Sequence, residues 1–168
     1  MKTPAEAYLE TAKEMLDRAT AANAEVLKIA GALVGRSIAE GGVLHTFGSG
    51  HSEIIGREII GRAGGLMPVS GIFDPGAGFS ENVVGYGTRL VERYDNTNSL
   101  NAGEVIVVIS NSGKNASPIE VALYAKQRGL TVIALTSIAM STSSATVHPG
   151  GQNLHAIADH VLDNLGVS

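Results

Sequence analysis

An α/β fold built on a doubly wound, five-stranded parallel sheet is what this 168-residue sequence predicts. Two observations carry the prediction. Four short runs rich in β-branched and apolar residues are separated by segments long enough to be crossover helices, and the runs at Val105 and Thr131 are continuously apolar rather than alternating. Parallel neighbours need a crossover, and strands buried on both faces need no polar side, so the sheet should be covered by helices on both faces. With 44% hydrophobic residues the chain is long enough to bury one core and short for two. A single domain over residues 1–168 is expected, with an N-terminal helical extension over 1–41 and the sheet core over 42–168.

The helical extension begins at Thr3-Pro4-Ala5-Glu6. This is capping-box spacing with proline at the first helical position, so Thr3 and Glu6 can each satisfy a free backbone N–H. Apolar residues then recur at helical spacing from Leu9 through Leu16, Val26, Leu27, Ala30, Leu33 and Val34 until Gly41-Gly42. The pattern fits one long helix or two. Strands follow at Val43 to Phe47, Leu66 to Phe73, Val105 to Ile109 and Thr131 to Leu135, with a weaker fifth near His160 to Leu162. The helix after the third strand carries a second capping pattern, Ser117-Pro118-Ile119-Glu120, and Gly129 closes it. The 21 glycines gather in the connections, which favours tight turns near a ligand over a flexible tract.

Bulk properties exclude several function classes. A net charge of -4, from 12 Lys+Arg against 16 Asp+Glu, opposes attraction to phosphate backbones and anionic lipid, so neither nucleic acid nor membrane is expected as a partner. No cysteine is present, which removes disulfides, thiolate metal sites and a cysteine nucleophile. Residues 1–16 mix Glu6, Glu10, Lys13 and Glu14 with apolar positions, unlike a secretory signal or a membrane span, so a cytoplasmic location is expected. His155 and His160 lack a spacing partner that would make a metal pair, and neither metal nor cofactor is expected. His45, inside the first strand, is expected to be a core residue hydrogen-bonded to its neighbours.

Two connections concentrate polar groups. Phe47-Gly48-Ser49-Gly50-His51-Ser52 ends the first strand and opens a helix, where backbone N–H groups and the helix dipole favour an anion. Glu53 stands where the dinucleotide fingerprint wants a third glycine, and its carboxylate should repel a pyrophosphate; no Gly-Lys-Ser/Thr follows either. Ser110-Asn111-Ser112-Gly113-Lys114-Asn115 follows the third strand. Hydroxyls and amides on Ser110, Asn111, Ser112 and Asn115 can donate to phosphate oxygens, and Lys114 adds charge. In a sheet of flavodoxin-like order 2-1-3-4-5, the first and third strands are neighbours whose following helices lie on opposite faces, so both loops meet in one crevice.

These residues carry a resemblance. Gly48-Ser-Gly-His-Ser52 followed by Ser110-Asn-Ser-Gly-Lys-Asn115, with Arg62-Ala-Gly-Gly-Leu66 between them, resembles the SIS (sugar isomerase) family, and within it small phosphoheptose isomerase-like proteins. The resemblance spans nearly the whole chain. It implies a small sugar phosphate as ligand, with Ser49, Ser52, Ser110, Asn111, Ser112 and Asn115 around the phosphate. His51 and Arg62 become substrate contacts.

Activity is implied in the same way. SIS isomerases resemble one another in using a glutamate on the helix after the first loop, for which Glu58 is the local match, and His148 is similar to a histidine in the loop after the fourth strand. The residues also fit plainer roles: a Glu58–Arg62 surface ion pair at i, i+4 and a solvent-facing loop histidine. An aldose/ketose sugar-phosphate isomerase is the expected activity. A non-catalytic phosphosugar sensor and a sugar-phosphate lyase are the alternatives. Family enzymes usually continue into a C-terminal helix, whereas this sequence ends at Ser168, so the site is expected either to be completed by a partner subunit or to bind without turnover. The apolar surface of the N-terminal helical region predicts a homo-oligomer, a dimer or tetramer.

Overall fold

The computed structural model describes residues 2–166. Helix α1 runs Pro4–Ala39 without interruption, 36 residues or about 54 Å. Its capping box forms as expected: the Glu6 N–H donates to Thr3 Oγ1 at 3.3 Å, and the Thr3 N–H to Glu6 Oε2 at 2.7 Å. Only its later turns touch the sheet. Asn23 fastens it there, its amide donating to the Asp163 carbonyl and its Oδ1 accepting from the Asp163 N–H. Further along, Ala30, Leu33 and Val34 pack on Leu44, Val105 and Ile133.

The remaining elements are β1 (Leu44–Gly48), α2 (His51–Glu58), β2 (Val69–Ile72), α3 (Tyr86–Asn98), β3 (Val105–Ile109), α4 (Ala116–Gln127), β4 (Thr131–Thr136), α5 (Ile138–Ser143), α6 (Leu154–Ile157) and β5 (His160–Asp163). The sheet order is β2-β1-β3-β4-β5, every pair parallel, in register Leu44↔Val69, Leu44↔Val105, Val105↔Thr131 and Ile133↔His160. Because side chains alternate across a strand, one face presents Leu44, Val105 and Ile133 to α1. The other presents Phe47, Ile106, Val108, Val132 and Ala134 to the larger core with Val91, Ile119, Val121 and Leu154. Helix α2 shares the face of α1, its Gly56 packing on Thr46 and Ile109. The helices after β1 and β3 therefore lie on opposite sides.

Two local readings are corrected. Strand β2 begins at Val69 rather than Leu66: Pro68 has no N–H to pair, and Leu66 and Met67 are exposed. Ser117 does not cap α4. The cap position is Asn115, Ser117 lies inside the first turn with its hydroxyl buried and unpartnered, and Glu120 reaches across to another helix. Its carboxylate accepts from the N–H groups of Gly85 (2.5 Å) and Thr88 (3.0 Å) and so caps α3. No helix among the described residues is long and apolar enough to cross a membrane.

Candidate functional site

At the carboxyl ends of β1 and β3 the chain leaves the sheet in opposite directions, and a crevice of about 490 Å³ opens between the two departures. Its first wall is Ser49 to Ser52. Gly48 admits the start of α2 against β1, since a Cβ there would stand 2.6 Å from the Ser52 backbone. Helix α2 has Gly50 as its cap and no side-chain cap bond; the Ser52 and Glu53 N–H groups donate to the Ser49 and Gly50 carbonyls at 3.2 and 3.1 Å, and the positive end of the helix dipole faces the crevice. The second wall is Ser110 to Asn115. The Ser110 hydroxyl accepts from the Gly113 N–H at 3.2 Å and holds the turn closed, and α4 likewise starts without a side-chain cap bond.

A third wall, absent from the sequence reading, is the connection between β2 and α3. Asp74 shapes it: its carboxylate accepts from the N–H groups of Gly76 (2.7 Å) and Gly78 (2.8 Å) and from the Tyr86 hydroxyl (2.6 Å). Gly78 lies flat on Gly50, at φ +87°, where a Cβ would stand 2.8 Å from the Gly50 backbone. Gly78→Ala is therefore expected to cost about 1–2 kcal/mol in left-handed strain, beyond the clash. Urea denaturation measures that loss, and backbone amide shifts of residues 49–52 should report the displaced wall.

This connection brings Phe79 and Glu81 to the crevice. The Ser49 hydroxyl donates to Glu81 Oε2 at 2.5 Å, and the Glu81 carbonyl accepts from the Ser117 N–H at 2.9 Å, so the residue is held from both ends. Glu81 is the half-buried carboxylate of the site. A signal was present: a glycine-rich connection over residues 73–85 is longer than most, and long connections often serve a site.

The structure gathers Ser49, His51, Ser52, Ser110, Asn111, Ser112 and Asn115 around this space, with Met140 closing one side. Asn111 is partly committed, its Oδ1 accepting from Asn164 Nδ2 at 2.8 Å. Among the described residues neither lysine nor arginine lines the crevice, so an anion here would meet hydroxyls, amides and helix N-termini. Glu53, expected to repel a pyrophosphate, points away: it is 9% exposed, takes the Arg57 Nε–H at 2.5 Å and accepts from the Asp74 N–H at 3.0 Å.

Glu58 and Arg62 are not brought to the crevice. They pair with each other at 2.6 Å, both side chains more than half exposed, at the far end of α2. His148 also stands outside the lining. Its loop is tied to Lys114, whose carbonyl accepts from the Val147 N–H, and its Nδ1 accepts from the Gly150 N–H at 3.1 Å. His155 Nδ1 meets the Ser141 hydroxyl at 2.7 Å.

Comparison with known proteins places the chain in a family. The chain is 36% identical over 160 residues to a UPF0309 protein of Listeria monocytogenes, covering 95% of this chain and 67% of that one. It is 35% identical over 169 residues to a UPF0309 protein of Streptomyces coelicolor, covering 96% and 67%. The chain thus spans about two thirds of the length of these relatives. Among solved structures it is similar to the phosphoheptose isomerase GmhA of Neisseria gonorrhoeae (TM-score 0.69, 21% identity, 96% of this chain and 84% of that one). A phosphoheptose isomerase from Francisella tularensis gives TM-score 0.71 at 16% identity, with the same coverage. The E. coli CFT073 protein c3406, solved in complex with A5P, gives 0.52 at 18% identity over 100% of this chain and 77% of that one. At such identities the likeness is one of fold. The SIS domain model matches residues 7–137, which takes in β1 to β4 and both serine-bearing walls of the crevice, and the chain belongs to the SIS domain family.

Proposed function

We propose that this chain binds a small sugar phosphate in the crevice and interconverts its aldose and ketose forms. The observation that supports this reading best is the meeting of the two hydroxyl-rich loops with Glu81 in one space. Two helix N-termini and the hydroxyls of Ser52, Ser110 and Ser112 would take the phosphate, and Glu81 would act as the base. Aldose–ketose exchange removes a proton from the carbon beside the carbonyl and returns one to the carbonyl carbon, which a single carboxylate beside the bound sugar can carry, while a second proton passes from the hydroxyl oxygen to the former carbonyl oxygen through the hydroxyls of the crevice or solvent. The c3406 complex with A5P and the phosphoheptose isomerases share this fold, which favours the same ligand class.

The test is turnover. Pure protein is incubated with a panel of aldose and ketose phosphates, and interconversion is followed by NMR. Binding without interconversion or elimination would replace the isomerase by a sensor, and loss of water would make it a lyase. Ser112→Ala supplies the accompanying affinity test. The Ser112 hydroxyl makes no intrachain hydrogen bond among the described residues, so its removal should spare the fold. One lost charge-assisted bond should weaken sugar-phosphate binding by about 1.5–3 kcal/mol, read by calorimetry.

A second reading keeps Glu58 as the base, delivered to the crevice of a neighbouring subunit. Its support is the exposure of Ile54 (64%), Ile55 (52%) and Ile59 (37%), which makes the outer face of α2 apolar around Glu58. Helix α1 adds exposed Tyr8, Leu9 and Leu16. Both faces favour a homodimer. Light scattering at micromolar concentration should give twice the chain mass, and Ile55→Glu with Leu16→Glu should shift it to the monomer.

A further inference from the structure

We propose that a second cavity, between the free edge of β2 and helix α3, is a ligand site for a small organic anion with an apolar ring, an aromatic phosphate or carboxylate. The cavity measures about 550 Å³ and lies apart from the crevice, with none of the crevice residues in its lining. That volume is within the usual range for small-molecule sites. Its floor is apolar, made by Ile72, Phe73, Leu90 and the Tyr94 ring. Tyr94 turns its hydroxyl inward to His45 Nδ1 at 2.8 Å and so leaves a hydrocarbon surface to the cavity.

The rim is cationic. Arg57 lies 3.9 Å over the Phe73 ring, and Arg93 faces the same space with no ion pair among the described residues. Among the described residues no aspartate or glutamate lines the cavity, although the chain as a whole carries a net charge of -4. Two guanidinium groups over an apolar floor suit a ligand whose anionic end meets the arginines while its ring fills the space below. Because β2 ends the sheet, its outer edge also offers backbone N–H and C=O groups at Ser70 to Ile72.

Occupancy here would be felt in the crevice. Arg57 is held by Glu53, whose second oxygen accepts from the Asp74 N–H, and Asp74 holds Gly76 and Gly78 in the wall that carries Glu81. An anion on Arg57 competes with Glu53 for the guanidinium and loosens the first link of that chain.

The site is tested by titrating the full chain with benzoate, phenyl phosphate, inorganic phosphate and phenol while following backbone amide shifts. Benzoate or phenyl phosphate should move Ser70, Gly71, Phe73 and Arg93, and with them Gly76 and Gly78, whereas phenol and inorganic phosphate should bind there at least about tenfold more weakly. The ratio of the two affinities separates a carboxylate from a phosphate ligand. Arg93→Gln, a change at an exposed position, should weaken binding about tenfold or more, and Ser112→Ala should leave it unchanged. Shifts confined to residues 48–52 and 110–115, equal affinity in Arg93→Gln, or no saturation by either aromatic anion at millimolar concentration would each overturn the proposal. None of these outcomes bears on whether the crevice turns over sugar phosphates.

Discussion

Glu81→Gln is expected to lower sugar-phosphate interconversion by about 10²–10⁴-fold, the usual contribution of a positioned acid–base group, while leaving fold and phosphate affinity in place. The amide keeps an oxygen to accept from Ser49 and keeps the main-chain bond to Ser117. What it loses is the ability to take a proton. Exchange of the substrate C1 or C2 proton with solvent deuterium measures that step directly. Glu58→Gln gives the contrast: its partner is Arg62 in the exposed turn just beyond α2, so exchange should persist if Glu81 is the base. Loss of exchange in Glu58→Gln, with Glu81→Gln still active, would move the base to the subunit neighbour.

Glu104→Ala should cost about 3–5 kcal/mol of stability, because it removes the hub of a buried polar cluster at the opposite end of the strands. Glu104 is 5% exposed and accepts from the Val43 N–H at 3.0 Å, the Asn101 N–H at 2.8 Å and His45 Nε2 at 3.0 Å. A carboxylate only accepts, so Nε2 of His45 is the donor, and Nδ1 is left to accept from the Tyr94 hydroxyl. Truncation strands three donors in the core. Urea denaturation at neutral pH measures the loss; a change within 1 kcal/mol would show that water or rearrangement replaces the carboxylate.

The same cluster sets a pH dependence. Burial by itself pushes the Glu104 carboxyl up, but the Asn101 N–H, His45 and the Val43 N–H together bring it below the ordinary glutamate value. Asp95 behaves alike, burial being overcome by the Leu100 N–H, the Tyr124 hydroxyl and Arg128, and so does Asp159 through Lys126 and the Val132 N–H. A carboxyl depressed in the folded state stabilises it at pH above its unfolded value and loses that contribution as pH falls through the folded value. Stability should therefore hold near neutrality and drop below about pH 4.5. Denaturation of Glu104→Gln across that range should show a shallower drop.

Much of this fold is legible in local pattern. The Thr3–Glu6 box, the continuous runs at β3 and β4 and the polar loops after β1 and β3 each depend on residues within a few positions of one another. Misreadings arose where a side chain had a choice of partner. Ser117 and Glu120 have the spacing of a cap, yet the glutamate serves the amides of another helix, 35 and 32 positions away. Glu53 has the position of a residue facing a ligand, yet it turns to Arg57 and to the Asp74 N–H, 21 positions on.

The site divides along the same line. Hydrophobic runs and crossover lengths point to a parallel sheet covered on both faces, and in the order 2-1-3-4-5 such a sheet brings loops 48–52 and 110–115 to one crevice. Which carboxylate joins them depends on packing between distant segments. Glu58 and Glu81 are both chemically able, and no local period separates them. What separates them is that α2 carries Glu58 a helix length away from the crevice, while Asp74 folds the β2–α3 connection back so that Glu81 meets Ser49, 32 positions earlier in the chain. Helical and strand periodicity is a property of neighbouring backbone units, whereas a bond between distant residues exists only once packing has closed the intervening chain.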